Sequence, residues 1–417
     1  MSASPHGDGV SGAVQSADSA GALPAFTRHA TLPITLLVQA ASSAAVIAPT
    51  VAAPRLLEPL QLGPTAVGLF VALVYLAAMF SSPLGAHLVL RFGPVRGSQL
   101  ALLASALGLL LVAVPVSGLA ALGALLIGLG YGPITPASSQ MLARTTELRR
   151  YALVFSIKQT GVPMGGVIAG LMVPPLVVWS GGAAALFGTA GLCLLGVVLA
   201  SLLGRSLDNQ RVAASRWPRP SQLLAPVRLV LAQPLLRSLA GCSLVLSMVQ
   251  VSLTSYFVIY LTGDLGWTLL AAGAALSASQ LSGVCGRILW GWLSDRWLGP
   301  RRMLLTLAGL IVACCMAIPW VTARSPAAGV VALLCLFGAT AVGWNGVYLA
   351  TVARVAPPGQ AAAATAGALF FTFFGVVLGP PVFGLVGGLI GGLGPAFALF
   401  TLPLAAAVWI LRRARWG

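Results

Sequence analysis

Charge is what this sequence has least of. Of its 417 residues only 7% are Asp, Glu, Lys or Arg, against roughly a quarter in a soluble globular chain that must face water. A soluble fold is excluded at the first step. Acids are the scarcer sign: seven Asp and Glu stand against 23 Arg and Lys, and Lys158 is the single lysine. Histidine is nearly missing, with only His6, His29 and His87, the first two in a polar leader. A histidine-based metal or catalytic centre has no material here. Cys193, Cys242, Cys285, Cys314, Cys315 and Cys335 lie in apolar stretches without zinc-site spacing and read as packing residues. Lys158 follows Ile157 rather than the glycine of a phosphate-binding loop, which excludes ATP hydrolysis by that route. Neither a Gly-x-Ser-x-Gly elbow nor a His-Glu-x-x-His pair occurs. No enzyme class finds support, and neither metal nor cofactor is implied.

Apolar residues are abundant: 58% of the chain is hydrophobic, with a mean hydropathy of +0.98. A bilayer core of roughly 30 Å needs about 20 such residues at a rise of about 1.5 Å. Suitable spans fall near 33–53, 65–84, 99–116, 119–140, 152–175, 182–204, 238–261, 268–290, 303–322, 327–350, 361–387 and 393–411. The pattern predicts an all-α polytopic membrane protein, with about twelve transmembrane helices in two pseudo-symmetric six-helix bundles. It divides the chain into a polar tail over 1–30, a first bundle over 31–204, a linker over 205–237 and a second bundle over 238–417. The tail lacks the basic start and apolar core of a secretory signal and reads as disordered. The linker gathers Arg211, Arg216, Arg219 and Arg228 with Pro218, Pro220 and Pro234.

On this layout Arg55 and Arg324 lie at one face and Lys158 within, while the other 20 basic residues lie at the opposite face. Such a bias places both termini and the linker in the cytoplasm, in a bacterial-type inner membrane. The basic excess therefore describes topology, and no nucleic-acid partner is expected. Duplication is also visible: Gly85 with Gly93-Pro94 recurs as Gly291 with Gly299-Pro300, each offset by 206 residues. Gly161-Val162-Pro163-Met164-Gly165 in the fifth span is echoed by Gly375-Val376-Val377-Leu378-Gly379 in the eleventh.

The segment Gly286-Arg287-Ile288-Leu289-Trp290-Gly291-Trp292-Leu293-Ser294-Asp295-Arg296, followed by Gly299-Pro300-Arg301-Arg302, resembles the cytoplasmic motif of the major facilitator superfamily. The first-half counterpart, Gly85 with Arg91-Phe92-Gly93-Pro94-Val95-Arg96, keeps the basic part but has Leu90 in place of the acid. Gly161-Val162-Pro163-Met164-Gly165-Gly166 is similar to the glycine-proline motif of exporters in that superfamily, one residue short. The resemblance implies a secondary transporter for a small organic solute, whose halves rock about a central site. It makes Gly291, Asp295, Arg296, Arg301, Arg302, Gly85, Arg91 and Arg96 a cytoplasmic gate, with Arg287 counted beside them.

Lys158 lies about 12 Å into the membrane from Arg150 at helical rise. Gly161, Gly165 and Ala169 share its helical face, so it points to a close-packed or cavity-facing surface rather than lipid. None of the seven acids falls in a predicted span. The expected cargo is an anion such as a small carboxylate, held by Lys158; the alternative is a lysine that snorkels to the inner headgroups or is neutral and bonded to backbone carbonyls. Gln39, Gln159, Gln250, Tyr256, Asn345 and Tyr348 are the further substrate-binding candidates, since polar groups in lipid seek the bundle interior. Ser43, Ser255, Gln280 and Trp344 could complete the cavity, and Phe370, Phe371, Phe373 and Phe374 could offer an aromatic wall. Gly343 and Gly346 break the apolar run around Asn345. Two other readings stay open: efflux of amphipathic compounds, and a transporter-like sensor that binds without moving cargo.

Overall fold

The computed structural model describes residues 24–60, 63, 65–146, 154, 157–208, 224–357, 360–414 and 416. The expectations for residues 1–23 and for linker residues 209–223, with Arg211, Arg216 and Arg219, lie outside the described residues. The described chain is helical from end to end. The first half comprises α1 (Ala25–Leu56), α2 (Thr65–Phe92), α3 (Pro94–Val112), α4 (Ser117–Thr145), α5 (161–180) and α6 (182–207). The short α7 (Ala225–Ala232) leads into the second half: α8 (Pro234–Ile259), α9 (Leu269–Leu293), α10 (Gly299–Ala317), α11 (Ala327–Ala341), α12 (Asn345–Val355), α13 (Ala361–Ile390), α14 (Leu393–Leu399) and α15 (Thr401–Arg413).

Two boundaries differ from the sequence expectation. Residues 25–30, assigned above to the tail, belong to α1, and α7 with the start of α8 lies within the interval read as linker. Ala25 and Pro234 begin helices that run on into apolar spans, and Pro at the first turns of α7 and α8 pre-sets a helical start.

Ten helical stretches among the described residues are long and apolar enough to cross a bilayer. Two of them, Ile157–Gly204 and Leu269–Trp320, run to 48 and 52 residues, about twice what one crossing needs. Each is broken at a glycine in the left-handed region, Gly181 at φ 85° and Gly299 at φ 71°. Ten stretches thereby fit the expected dozen. The duplication is written in the backbone as well: Gly93 (φ 95°) matches Gly299, and Gly181 matches Gly391 (φ 78°). Pro174-Pro175 inside α5 recur as Pro380-Pro381 inside α13.

Packing follows the rule for lipid, with small residues between helices and large ones outside. On α3, Leu100, Leu103, Leu107 and Leu110 are exposed, while Ala101, Ser105 and Ala106 are buried. The halves meet along α2 with α13, α5 with α9, and α1 with α8. Their contacts concentrate at the end remote from the arginine-rich loops. There Thr65 Oγ1 donates to the Gly384 carbonyl at 3.4 Å, and Ser277 Oγ to the Val167 carbonyl at 2.9 Å. Two glycine–proline contacts complete the seam. A side chain at Gly68 would collide with the Pro380 carbonyl, and one at Gly273 with Pro174. Each half contributes one proline pair to this seam and one glycine to receive the other's.

At the arginine-rich end each half ties its own helices together, by different chemistry. In the first, buried Asp208 accepts the backbone N–H groups of Val95 (3.0 Å) and Arg96 (3.2 Å), capping the start of α3. Arg144 Nη1 holds the Leu207 carbonyl at 2.6 Å. Burial lowers the Arg144 pKa from its ordinary value, and Asp208 partly offsets the shift. In the second, Arg354 pairs with Asp295 at 2.8 Å and Arg301 Nη2 donates to the Arg412 carbonyl at 2.8 Å.

Candidate functional site

Lys158 precedes α5 and is wholly buried. The face it shares with Gly161 and Gly165 packs on α1, where side chains at those glycines would strike Gln39, Ser43 and Ala44. Its Nζ donates to Gln159 Oε1 at 3.3 Å. From the other half, Arg287 Nη1 donates to the main-chain carbonyl of the same Gln159 at 3.0 Å, and its Nε to the Val342 carbonyl at 3.1 Å. Two cations from opposite halves thus converge on one residue.

Arg287 is half-buried, as is Gln159. The sequence reading counted it with the arginines of the membrane face; the structure sets it inward, between the halves. It lies six residues before the end of α9, about 9 Å at helical rise. Tyr131 of α4 lies within electrostatic reach of Arg287. Tyr75 packs edge-on against Tyr131, ring centroids 5.7 Å apart, and also lies 6.4 Å from Phe373 of the other half.

A second polar cluster belongs to the second half. Between α11 and α12 the helix gives way to a turn over residues 342–344, in which Trp344 keeps right-handed helical dihedrals. This turns Trp344 Nε1 and Asn345 Nδ2 onto Gln250 Oε1, at 3.0 Å and 2.9 Å. Tyr348 packs beneath Trp344 with ring centroids 5.2 Å apart. It belongs to the core of that half. Gln39 is buried and accepts from Thr135 at 3.4 Å. Tyr256 is elsewhere: its hydroxyl donates to the Pro380 carbonyl at 3.1 Å, within the seam that closes the arginine-poor end.

The gate motif lies at the arginine-rich end. Asp295 and Arg296 occupy a π-turn between α9 and α10, Arg301 and Arg302 begin α10, and all four are exposed. Asp295 pairs with Arg354 rather than with a motif arginine. The close helix approach of the motif is made at Gly286, against the Ala339 carbonyl, while Gly291 has open space around it. Gly85 lies within α2. Arg91 stacks over the Phe92 ring and Arg96 is exposed on α3. Sequence reasoning did not find Tyr75, Tyr131 or Asp208; a hydroxyl-bearing ring deep in an apolar run was the available signal for the tyrosines. Among the described residues no group of three His, Cys, Asp or Glu comes together to hold a metal ion.

Two helical bundles with polar and cationic groups turned to the boundary between them define a membrane transporter. The chain belongs to the Major Facilitator Superfamily, whose sequence pattern matches residues 35–380. It is 26% identical over 257 residues to an uncharacterized MFS-type transporter of Mycobacterium tuberculosis, covering 62% of this chain and 56% of that protein. It is 27% identical to monocarboxylate transporter 13 of Bos taurus, over 80% of this chain and 76% of the relative. The fold is shared with a bacterial homologue of the human lysosomal transporter Spinster, in an inward-facing and occupied conformation. The TM-score is 0.75 at 16% identity, with 95% of this chain and 100% of that one covered. The unoccupied form of the homologue gives 0.69. Family and fold are those of transporters, not enzymes. The protein is integral to the membrane, and its cargo is a small molecule.

Proposed function

We propose that this protein carries a small organic anion, of the carboxylate class, by alternating access. The observation that carries the reading is the convergence of Lys158 and Arg287, from opposite halves, on Gln159. Cations are costly in a bilayer and mark a path for charge of the opposite sign. Arg287 offers a planar donor set suited to a carboxylate, in a half-buried position between the halves. The likeness to proteins named monocarboxylate transporters supports the same class.

The arginine-rich end faces the cytoplasm, as the positive-inside bias argues, with both termini there and the protein in the inner membrane of a bacterial-type cell. The seam of Gly68, Pro380, Gly273 and Pro174 then closes the outer side, and the conformation is open inward. Lys158, Gln159 and Arg287 hold the anion, with Tyr131, Gln250 and Asn345 bordering it. Uptake of labelled short-chain carboxylates into liposomes containing purified protein tests this. Accumulation or counterflow is expected, abolished by Arg287→Gln. Wild-type flux in that variant, or binding with no flux at all, overturns it.

A further inference from the structure

Beyond the two cations, toward the closed end, lies a second and neutral site. A cavity of about 40 Å³ sits between the halves, bordered by Thr50 and Tyr75 on one side and Gln250, Ser255 and Gln280 on the other. A single water needs about 10–15 Å³, so there is room for a group the size of a hydroxymethyl. Gln280 lines this cavity at 4% exposure, and its Oε1 has no hydrogen-bond partner among the described residues. A buried amide oxygen left in that state is costly to the fold unless a ligand group answers it. The amide nitrogen packs over Gly166 of α5, where even a Cβ would collide, and the oxygen is left buried in the cavity wall.

Gln250 faces the same space with its oxygen already taken by Trp344 and Asn345. What it can offer a ligand is its N–H groups. The pocket therefore pairs an acceptor with a donor, and both are neutral. A hydroxyl, which donates and accepts, answers both. A carboxylate would meet the Gln280 oxygen, and an ammonium would have to pass two cations. Gln280 and Arg287 stand seven residues apart on α9, on one face and roughly 10 Å apart along the axis.

We infer that the cargo is a hydroxylated carboxylate, its anionic end at Arg287 and Lys158 and a hydroxyl several atoms away in the Gln250–Gln280 pocket. This inference rests on the anion reading above, and the two can be separated. Three probes of one chain length serve: 6-hydroxyhexanoate, hexanoate and 1,6-hexanediol, each measured for binding to the full-length protein in detergent. The wild type is expected to bind 6-hydroxyhexanoate about tenfold more tightly than hexanoate, the equivalent of one hydrogen bond. Gln280→Leu removes that preference while hexanoate binding persists, Gln280→Asn reduces it, and Arg287→Gln weakens both carboxylates alike. Equal affinity for the two carboxylates in the wild type, or a preference that survives Gln280→Leu, overturns the hydroxyl pocket and leaves the anion reading standing. Binding of the diol alone, lost in Gln280→Leu, overturns the anion reading and keeps the pocket. Binding of none of the three overturns both.

Discussion

Arg287 Nη1 donates to the Gln159 carbonyl at 3.0 Å, and this bond joins α9 of the second half to the chain entering α5 of the first. Two of the five guanidinium N–H groups are engaged, by the Gln159 and Val342 carbonyls, which leaves Nη2 for a carboxylate entering between the halves. Cargo bound there meets a group that already bridges the bundles, so occupancy and the relation of the halves act on one side chain. Charge-assisted bonds are worth about 1.5–3 kcal/mol, so Arg287→Gln is expected to weaken carboxylate binding by one to two orders of magnitude. Titration of purified variants checks it, and an unchanged affinity would remove Arg287 from the site.

Lys158 is packed against α1 with no exposure, so Lys158→Met, similar in length and apolar, is expected to fold and reach the membrane. Loss of carboxylate flux with a normal elution profile is the predicted result. Wild-type uptake by the Met variant would reduce Lys158 to a packing residue.

The glycine–proline seam makes a conformational prediction. Gly68→Leu and Gly273→Leu place a side chain where Pro380 and Pro174 already stand, which disfavours the closed end without touching the cations. Both variants are expected to shift the population toward opening there, and to speed labelling of a Thr65→Cys reporter by a membrane-impermeant maleimide severalfold. Equal labelling rates in variant and parent would show that the seam does not set the conformational balance.

The two fastenings at the arginine-rich end differ in strength. Removing a cap costs about 1–2 kcal/mol, and Asp208 is buried with two backbone N–H partners. The Arg354–Asp295 pair is more than half exposed on both sides, and such pairs contribute about 0–1 kcal/mol. Thermal unfolding in detergent is expected to fall clearly for Asp208→Ala and little for Asp295→Ala. The reverse order would mean that the resemblance motif, not the cap, secures the fold.

Much of this architecture is legible in the chain itself. Lipid demands long apolar helices, and repeated glycines and prolines punctuate them, so Gly93 and Gly299 could be matched before their shared backbone conformation was seen. Polar residues in apolar runs were also readable, and Gln250 with Asn345 do meet. Pairings across long separations were not. Asp208 reaches Val95 over 113 residues, and the missing acid at Leu90 gave no hint of where a substitute would stand. Arg287 was misplaced because its nearness in sequence to the motif arginines suggested the membrane face, whereas its rotation on α9 turns it inward. Tyr75 and Tyr131 escaped notice because tyrosine in a membrane chain is ordinarily read as an interfacial anchor.

The unequal fastenings have a consequence for how the molecule comes apart. Concentrated salt crowds an open ion pair with counter-ions but leaves a sheltered carboxylate on its amides nearly untouched. In brine, then, the twin bundles cease to be twins: the contact at the Asp295 corner is the first to part, at a cost of no more than about 1 kcal/mol, while the amides of α3 keep their carboxylate.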